Sequence, residues 1–265
     1  MSDAAQDIVS VERHGRIAIV RFASGGRANP LSLRAMQALL DTAQALERDP
    51  HLSAVVLAGT PQTFSYGFDL RDAGAVRALP LAERREAQSL GPRLCAAWER
   101  LEALTVAAVE GWCVGGGVAL ACALDLRVAG ACATFYVPEI ERGMNMSWGS
   151  VPRIVNLVGA ARAKRLVMLA ERVEAARAED WGLVDAVAPD GDALARAMVF
   201  AERAATMPPV QLRMCKSGIN AYANALAPVA AALDRDQYLL AQSSADFAEG
   251  VEAFLDKRAP RYQGR

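Results

Sequence analysis

Gly111-Trp112-Cys113-Val114-Gly115-Gly116-Gly117-Val118-Ala119-Leu120 is a glycine-rich turn that opens into an apolar helix. A turn of this kind leaves backbone N–H groups bare at the positive end of a helix dipole. Such a site holds an anion, or an oxygen that becomes anionic during a reaction. Taken alone, a triple glycine is more often a tight turn, so the stretch gains meaning from what surrounds it. Ala119 sits just inside the helix and is expected to face the same pocket, where its methyl group brings no acid.

Working outward, residues 105–110 (TVAAVE) form an apolar run that enters the turn as a strand. Residues 117–124 are apolar nearly all round, as in a buried helix. Further upstream, residues 15–22 and 53–59 read as strands. Between them Ser32 caps a helix over 33–48, with Met36, Leu39, Leu40, Ala43 and Leu46 on one face. Strand, helix, strand at this spacing is a βαβ unit. Residues 73–103 are charge-rich and helical in pattern. Downstream, 125–129, 134–137 and 183–188 read as strands, and 161–170 and 175–182 as short helices. From Asp192 every periodic segment is helical, and Pro208-Pro209 separates two of these helices. The expected organisation is α/β over residues 1–190 and helical over 191–265. Short strand-turn-helix units recur without a demonstrable sequence repeat.

Composition narrows the function classes. The chain has 265 residues, 53% hydrophobic and 22% charged, with a formal net charge of −1. Nothing in that balance steers it toward nucleic acid or an anionic membrane. No apolar run reaches bilayer-spanning length. The N-terminal residues 1–7 are polar and lack a secretion pattern, so a cytoplasmic location is expected. Five scattered cysteines form no C-x-x-C pair and read as reduced, buried small hydrophobes. The two histidines, His14 and His51, lie near no nucleophile or zinc spacing and read as surface residues. Any acid–base chemistry falls to a carboxylate.

Phe64-Ser65-Tyr66-Gly67-Phe68-Asp69-Leu70 follows the apolar strand that ends at Gly59. Bare, it is a turn. Paired in this order with the Gly111–Leu120 stretch, it resembles the crotonase family of enoyl-CoA hydratases, isomerases and relatives. The resemblance runs from Ala28-Asn29-Pro30-Leu31-Ser32 through Phe135-Tyr136-Val137-Pro138-Glu139-Ile140 and Trp181-Gly182-Leu183-Val184-Asp185. It ends in residues 246–260 (DFAEGVEAFLDKRAP).

The resemblance implies a spiral of ββα units followed by a helical C-terminal region, assembled as trimers or hexamers. It implies an acyl-CoA substrate whose enolate is held by two backbone N–H groups, here those of Tyr66 and Gly116. Glu139 matches one of the two glutamates of the family's hydratases, and Ala119 stands where the other would be. Read without the resemblance, Glu139 is a strand-end carboxylate. Contacts to substrate or CoA are expected from Arg27, Asn29, Phe68, Asp69, Arg71, Gly115 and Lys257, although a solvated surface charge is the ordinary reading of each cation. Read without the resemblance, Asp69 is a turn or helix-cap residue. Glu141 shares the face of Glu139 if the chain stays extended there. Asn145, Ser147 and Trp148 follow in a loop that lines the acyl pocket in relatives. No metal and no cofactor beyond the CoA of the substrate is implied. One glutamate suits double-bond isomerisation more simply than hydration. The missing acid also fits a catalytically weak CoA-thioester-binding homologue.

Overall fold

A computed structural model describes residues 8–265; the polar N-terminal reading, on residues 1–7, lies outside the described residues. The chain opens with a hairpin of β1 (Val9–His14) and β2 (Ile17–Phe22), turning at Gly15 with φ 58°. Helix α1 (Leu33–Glu47) follows, its first turn capped by the Ser32 hydroxyl, which accepts from the Ala35 N–H at 3.1 Å. The five residues expected on its inner face are buried. Next come β3 (Ala54–Ala58), β4 (Thr63–Ser65) and three helices, α2 (Leu70–Ala78), α3 (Leu81–Ala87) and α4 (Leu90–Arg100). Then β5 (Leu104–Val109), β6 (Trp112–Val114) and α5 (Gly116–Cys122) form a second strand-strand-helix unit. In the third, β7 (Leu126–Gly130) and β8 (Thr134–Tyr136) lead through a 3-10 turn (Ile140–Arg142) into α6 (Ser150–Met168).

Two sheets result. The larger runs β1-β2-β3-β5-β7-β10, with β10 (Ala186–Ala188) at one edge; every pair is parallel except β1 with β2. The smaller runs β4-β6-β8-β9, with β9 (Val173–Glu174) antiparallel at its edge. Each unit therefore contributes one strand to each sheet, which winds the chain into a spiral. Strand β3 is buried on both faces, as expected inside a covered parallel sheet. Its Val55 and Leu57 join the main core with α1 and α4. Its Ala54, Val56 and Ala58 join a second core against α8 (Ala193–Ala205), through Ala193, Ala197, Ala201 and Ala204. The first helix after the last strand thus closes the open face of the sheet, and its alanines permit the close approach. Helices α7 (Ala175–Trp181), α9 (Pro209–Ala223), α10 (Ala227–Ala231), α11 (Asp234–Ala241) and α12 (Ala245–Leu255) complete the chain.

Several expectations change. Strand β1 had no expectation, because its outer residues are exposed and give no apolar run. Strands β4 and β6 have three residues each, too few for alternation to register. The helix expected over 161–170 belongs to α6, which begins at Ser150 and is broken at Gly159 (φ 76°, ψ 161°). Residues 183–185 form no strand. The Leu183 carbonyl instead accepts from Arg127 Nε at 2.8 Å, and the Asp185 carboxylate accepts from the Arg127 N–H at 2.7 Å. Cys132 and Cys215 are exposed, so the buried reading holds for Cys95, Cys113 and Cys122 alone. Burial pushes the Cys95 thiol up to about 12 and that of Cys122 to about 11, which keeps both protonated and inert. Among the described residues no helix is long and apolar enough to cross a membrane.

Candidate active site

A cleft opens where α5 begins, walled by the start of α2, the end of α3, the Glu139 turn, residues 144–148 and α11. Its floor is backbone. Gly115 has φ 51° and ψ −114°, a conformation for glycine, and it turns β6 sharply into α5. The Gly116 N–H is the first of the helix and meets no acceptor among the described residues. Gly67 packs against this turn: a methyl group there would lie 2.6 Å from the Val114 carbonyl oxygen and 2.9 Å from the Gly116 nitrogen. That approach brings the 66–68 loop alongside. A methyl group on Gly116 would lie 3.4 Å from the Phe68 nitrogen. The Phe68 N–H also meets no acceptor among the described residues.

Tyr66 does not supply the second donor expected from sequence. Its N–H donates to the Ala28 carbonyl at 2.9 Å, and the flanking amide that remains is that of Phe68. The pairing is the reason: Tyr66 and Asp69 donate to the Ala28 and Leu31 carbonyls and the Leu31 N–H donates to the Gly67 carbonyl, a parallel bridge in which the Phe68 N–H takes no part. Phe64–Leu70 contains the donor, shifted two residues toward the C-terminus.

Glu139 caps the 3-10 turn and reaches over the start of α5. A methyl group on Gly115 would lie 2.3 Å from its Oε1. Its Oε2 is buried with no partner. Burial pushes the carboxyl up from 4.5 to about 7, while a bond to its own backbone N–H and the Arg142 charge pull weakly the other way. It can therefore both take and return a proton near neutrality. Ala119 lines the same cleft with a fully buried methyl group, as expected.

The turn after Glu139 settles Glu141. The chain bends there, and the Glu141 carboxylate accepts from the Tyr136 hydroxyl outside the cleft. Of the loop expected to line the acyl pocket, Ser147 and Trp148 do so; Asn145 does not, whereas Met144 and Met146 do. The Trp148 indole lies across two glycines: methyl groups on Gly91 and Gly116 would fall 2.1 Å and 2.7 Å from its ring. With Met36, Val76 and the two methionines it makes an apolar wall.

The expected substrate contacts divide. Phe68 and Gly115 line the cleft. Asn29 does not: it is fully buried, with φ 42°, and its side chain ties three segments. Its Oδ1 accepts from the Ser24 N–H at 2.9 Å and from the Ser24 hydroxyl at 3.1 Å. Its Nδ2 donates to the Phe64 carbonyl at 2.8 Å and the Phe22 carbonyl at 3.2 Å. Asn29→Ala should cost about 3 kcal/mol in urea unfolding, because it strands buried carbonyls and strains a left-handed position. A loss below about 1 kcal/mol would contradict that structural role. Asp69 is the N-cap of α2, accepting from the Arg71 N–H at 3.0 Å, and its carboxylate pairs with the Arg71 guanidinium at 2.7 Å. That pair holds the Asp69 carboxyl below the usual carboxylate range. The Arg71 side chain remains exposed, as does Arg27. Lys257 lies past the end of α12, outside the cleft lining. Tyr238, which the sequence reading passed over, joins the lining from α11. Nothing in a short, charged C-terminal helix marks it; its place depends on how α11 folds back. Among the described residues no three His, Cys, Asp or Glu side chains group to hold a metal.

The chain is similar to known proteins over nearly its whole length. A family model described as enoyl-CoA hydratase/isomerase matches residues 12–265. A 2,3-dehydroadipyl-CoA hydratase of Escherichia coli is 30% identical over 96% of this chain and 98% of its own. The crystal structure of a carnitinyl-CoA hydratase from Mycobacterium avium superposes with a TM-score of 0.86 at 30% identity, covering 98% of this chain and all of the other. An enoyl-CoA hydratase from Mycobacterium avium subsp. paratuberculosis superposes with a TM-score of 0.85 at 26% identity, over 97% and 98% of the two chains.

Proposed function

Since the chain belongs to the enoyl-CoA hydratase/isomerase family, we propose that it binds an enoyl thioester of CoA and moves protons on the acyl chain through Glu139. The observation that carries this reading is the buried Glu139 carboxyl, its Oε2 without a partner, beside two amides without acceptors, Phe68 and Gly116. The thioester oxygen takes both N–H bonds as it becomes an enolate, each worth about 3 kcal/mol in the transition state. Glu139 removes a proton from the chain and returns it at a carbon two positions away. Isomerisation of a 3-enoyl to a 2-enoyl thioester needs no further group. CoA is held as part of the substrate, with Arg27 and Arg71 as the exposed cations on the segments that carry Asn29 and Phe68. Exposed Met214, Ile219 and Tyr222 on α9 support self-association through the C-terminal helices.

Because Glu139 must be ionised to act, kcat/KM should rise with pH and level off above about 7. A profile flat from pH 5 to 9 would sink the assignment. The broader test is turnover of crotonyl-CoA, a 3-enoyl-CoA and a hydroxycinnamoyl-CoA in heavy water, followed by mass spectrometry. Double-bond migration with deuterium uptake supports the reading. Binding without any change in the three esters overturns it. A second reading, hydration, draws on the hydratase names of the relatives, and it needs a group to hold water where Ala119 has none.

A further inference from the structure

Helix α11 roofs the cleft and is fixed there at three points. The Asp234 carboxylate accepts from the Gly149 N–H at 2.7 Å, Arg235 Nη1 donates to the Ser89 hydroxyl at 2.7 Å, and Arg85 Nε donates to Asp236 at 3.0 Å. These contacts bind it to the 147–149 loop and to the α3–α4 junction, both part of the cleft wall. Tyr238 points from this helix to the Glu139 turn. Its hydroxyl lies 3.4 Å from the Met144 sulfur, and the Met144 N–H donates to the Glu139 carbonyl at 2.9 Å. Thioether sulfur is a weak acceptor, so the phenol proton is available to a better one. One turn along the same face, the Gln242 Oε1 is buried without a partner. Burial pushes the phenol up to about 12, against a side-chain hydrogen bond with Gln242 and with the Glu139 charge adding to the rise, so it is a hydrogen-bond donor at neutral pH. The cleft thus has a polar hydroxyl beside Glu139 that isomerisation does not use.

We propose that Tyr238 is a second catalytic residue, whose hydroxyl donates a hydrogen bond to the oxygen that joins or leaves C3 of the acyl chain, so that the protein also hydrates 2-enoyl thioesters. The inference rests on Glu139 as the proton carrier and on the Phe68 and Gly116 amides as the enolate site. Water held by Tyr238 gives a proton to the Glu139 carboxylate as its oxygen bonds to C3. The π electrons of C2=C3 move to the thioester oxygen, giving the enolate. The enolate then collapses, C2 takes the proton back from Glu139, and the net change is addition of one water. Tyr238 keeps its own proton throughout. One carboxylate suffices because the phenol, rather than an acid at position 119, orients the water.

Tyr238→Phe keeps the ring and removes the hydroxyl. Hydration of crotonyl-CoA and double-bond migration in a 3-enoyl-CoA should be measured side by side for both proteins. In the variant the hydration kcat should fall roughly 30-fold, with KM and the migration rate within about twofold of wild type. Hydration at the wild-type rate in the variant would overturn the proposal. Equal loss of both reactions would overturn it too, since the ring would then be structural. Wild-type protein that migrates the double bond but adds no water would refute the role of Tyr238 and leave Glu139 standing. Absence of both reactions in wild type would refute Glu139 first, and Tyr238 with it.

Discussion

Glu139→Gln should lose about 10³–10⁴-fold in turnover of every ester the wild type converts, while the affinity for a non-reactive thioester stays within about threefold. The amide keeps the volume and still fills the space above Gly115, but it cannot accept a proton. The same variant should be more stable than wild type at alkaline pH. Glu139 holds its proton to about pH 7 in the folded chain and releases it near 4.5 when unfolded. Between those values the native state binds the extra proton, so stability falls as pH rises through that window. Above it the buried charge costs roughly 3 kcal/mol, which glutamine avoids. Urea unfolding at pH 8 and pH 4.5 reads the difference: a gain at the first and none at the second. Undiminished turnover would remove Glu139 from the mechanism.

Gly116→Ala tests the other half of the site. The added methyl group would fall 2.7 Å and 2.8 Å from two Trp148 ring carbons and 3.4 Å from the Phe68 nitrogen, between the two proposed donors. The backbone at Gly116 is helical, so the substitution carries no conformational strain of its own. What changes is the space where the thioester oxygen would sit. A loss of about 10²–10³-fold in kcat is expected, the range for removal of one oxyanion donor. Thermal unfolding separates this from a folding defect. If kcat is retained and the melting temperature falls, the amides do not hold the enolate.

Much of this site was legible because backbone turns write themselves in glycine. Gly67, Gly115 and Gly116 mark the two segments, and Val137-Pro138-Glu139 marks the acid. The assignment of Tyr66 failed for a reason no motif carries. Which N–H of an extended segment is free depends on the register of its bonds to residues 28–31, and that register is a tertiary fact. Asn29 misled in the opposite way: a polar residue in a family motif serves burial rather than binding. Tyr238 was invisible because its helix reaches the cleft through an ion pair and a hydrogen bond between segments some 150 residues apart in the chain. In the fold, long buried strands and the α1 face were readable, whereas the three-residue β4 and β6 were not.

The oxyanion donors proposed above are peptide groups, and this has a consequence for how such a scaffold diversifies. No substitution other than proline deletes the N–H of Phe68, and at Gly116 it is steric crowding rather than chemistry that forbids change. Drift in sequence therefore leaves the capacity to stabilise an enolate in place while the surrounding acids and hydroxyls come and go. Position 119 has a methyl group without harm to the fold, fully enclosed in the core of α5. On the proposed mechanism, new reactions on this frame would begin from an inherited reactive intermediate, and a single codon at 119, 139 or 238 would decide which way it is quenched.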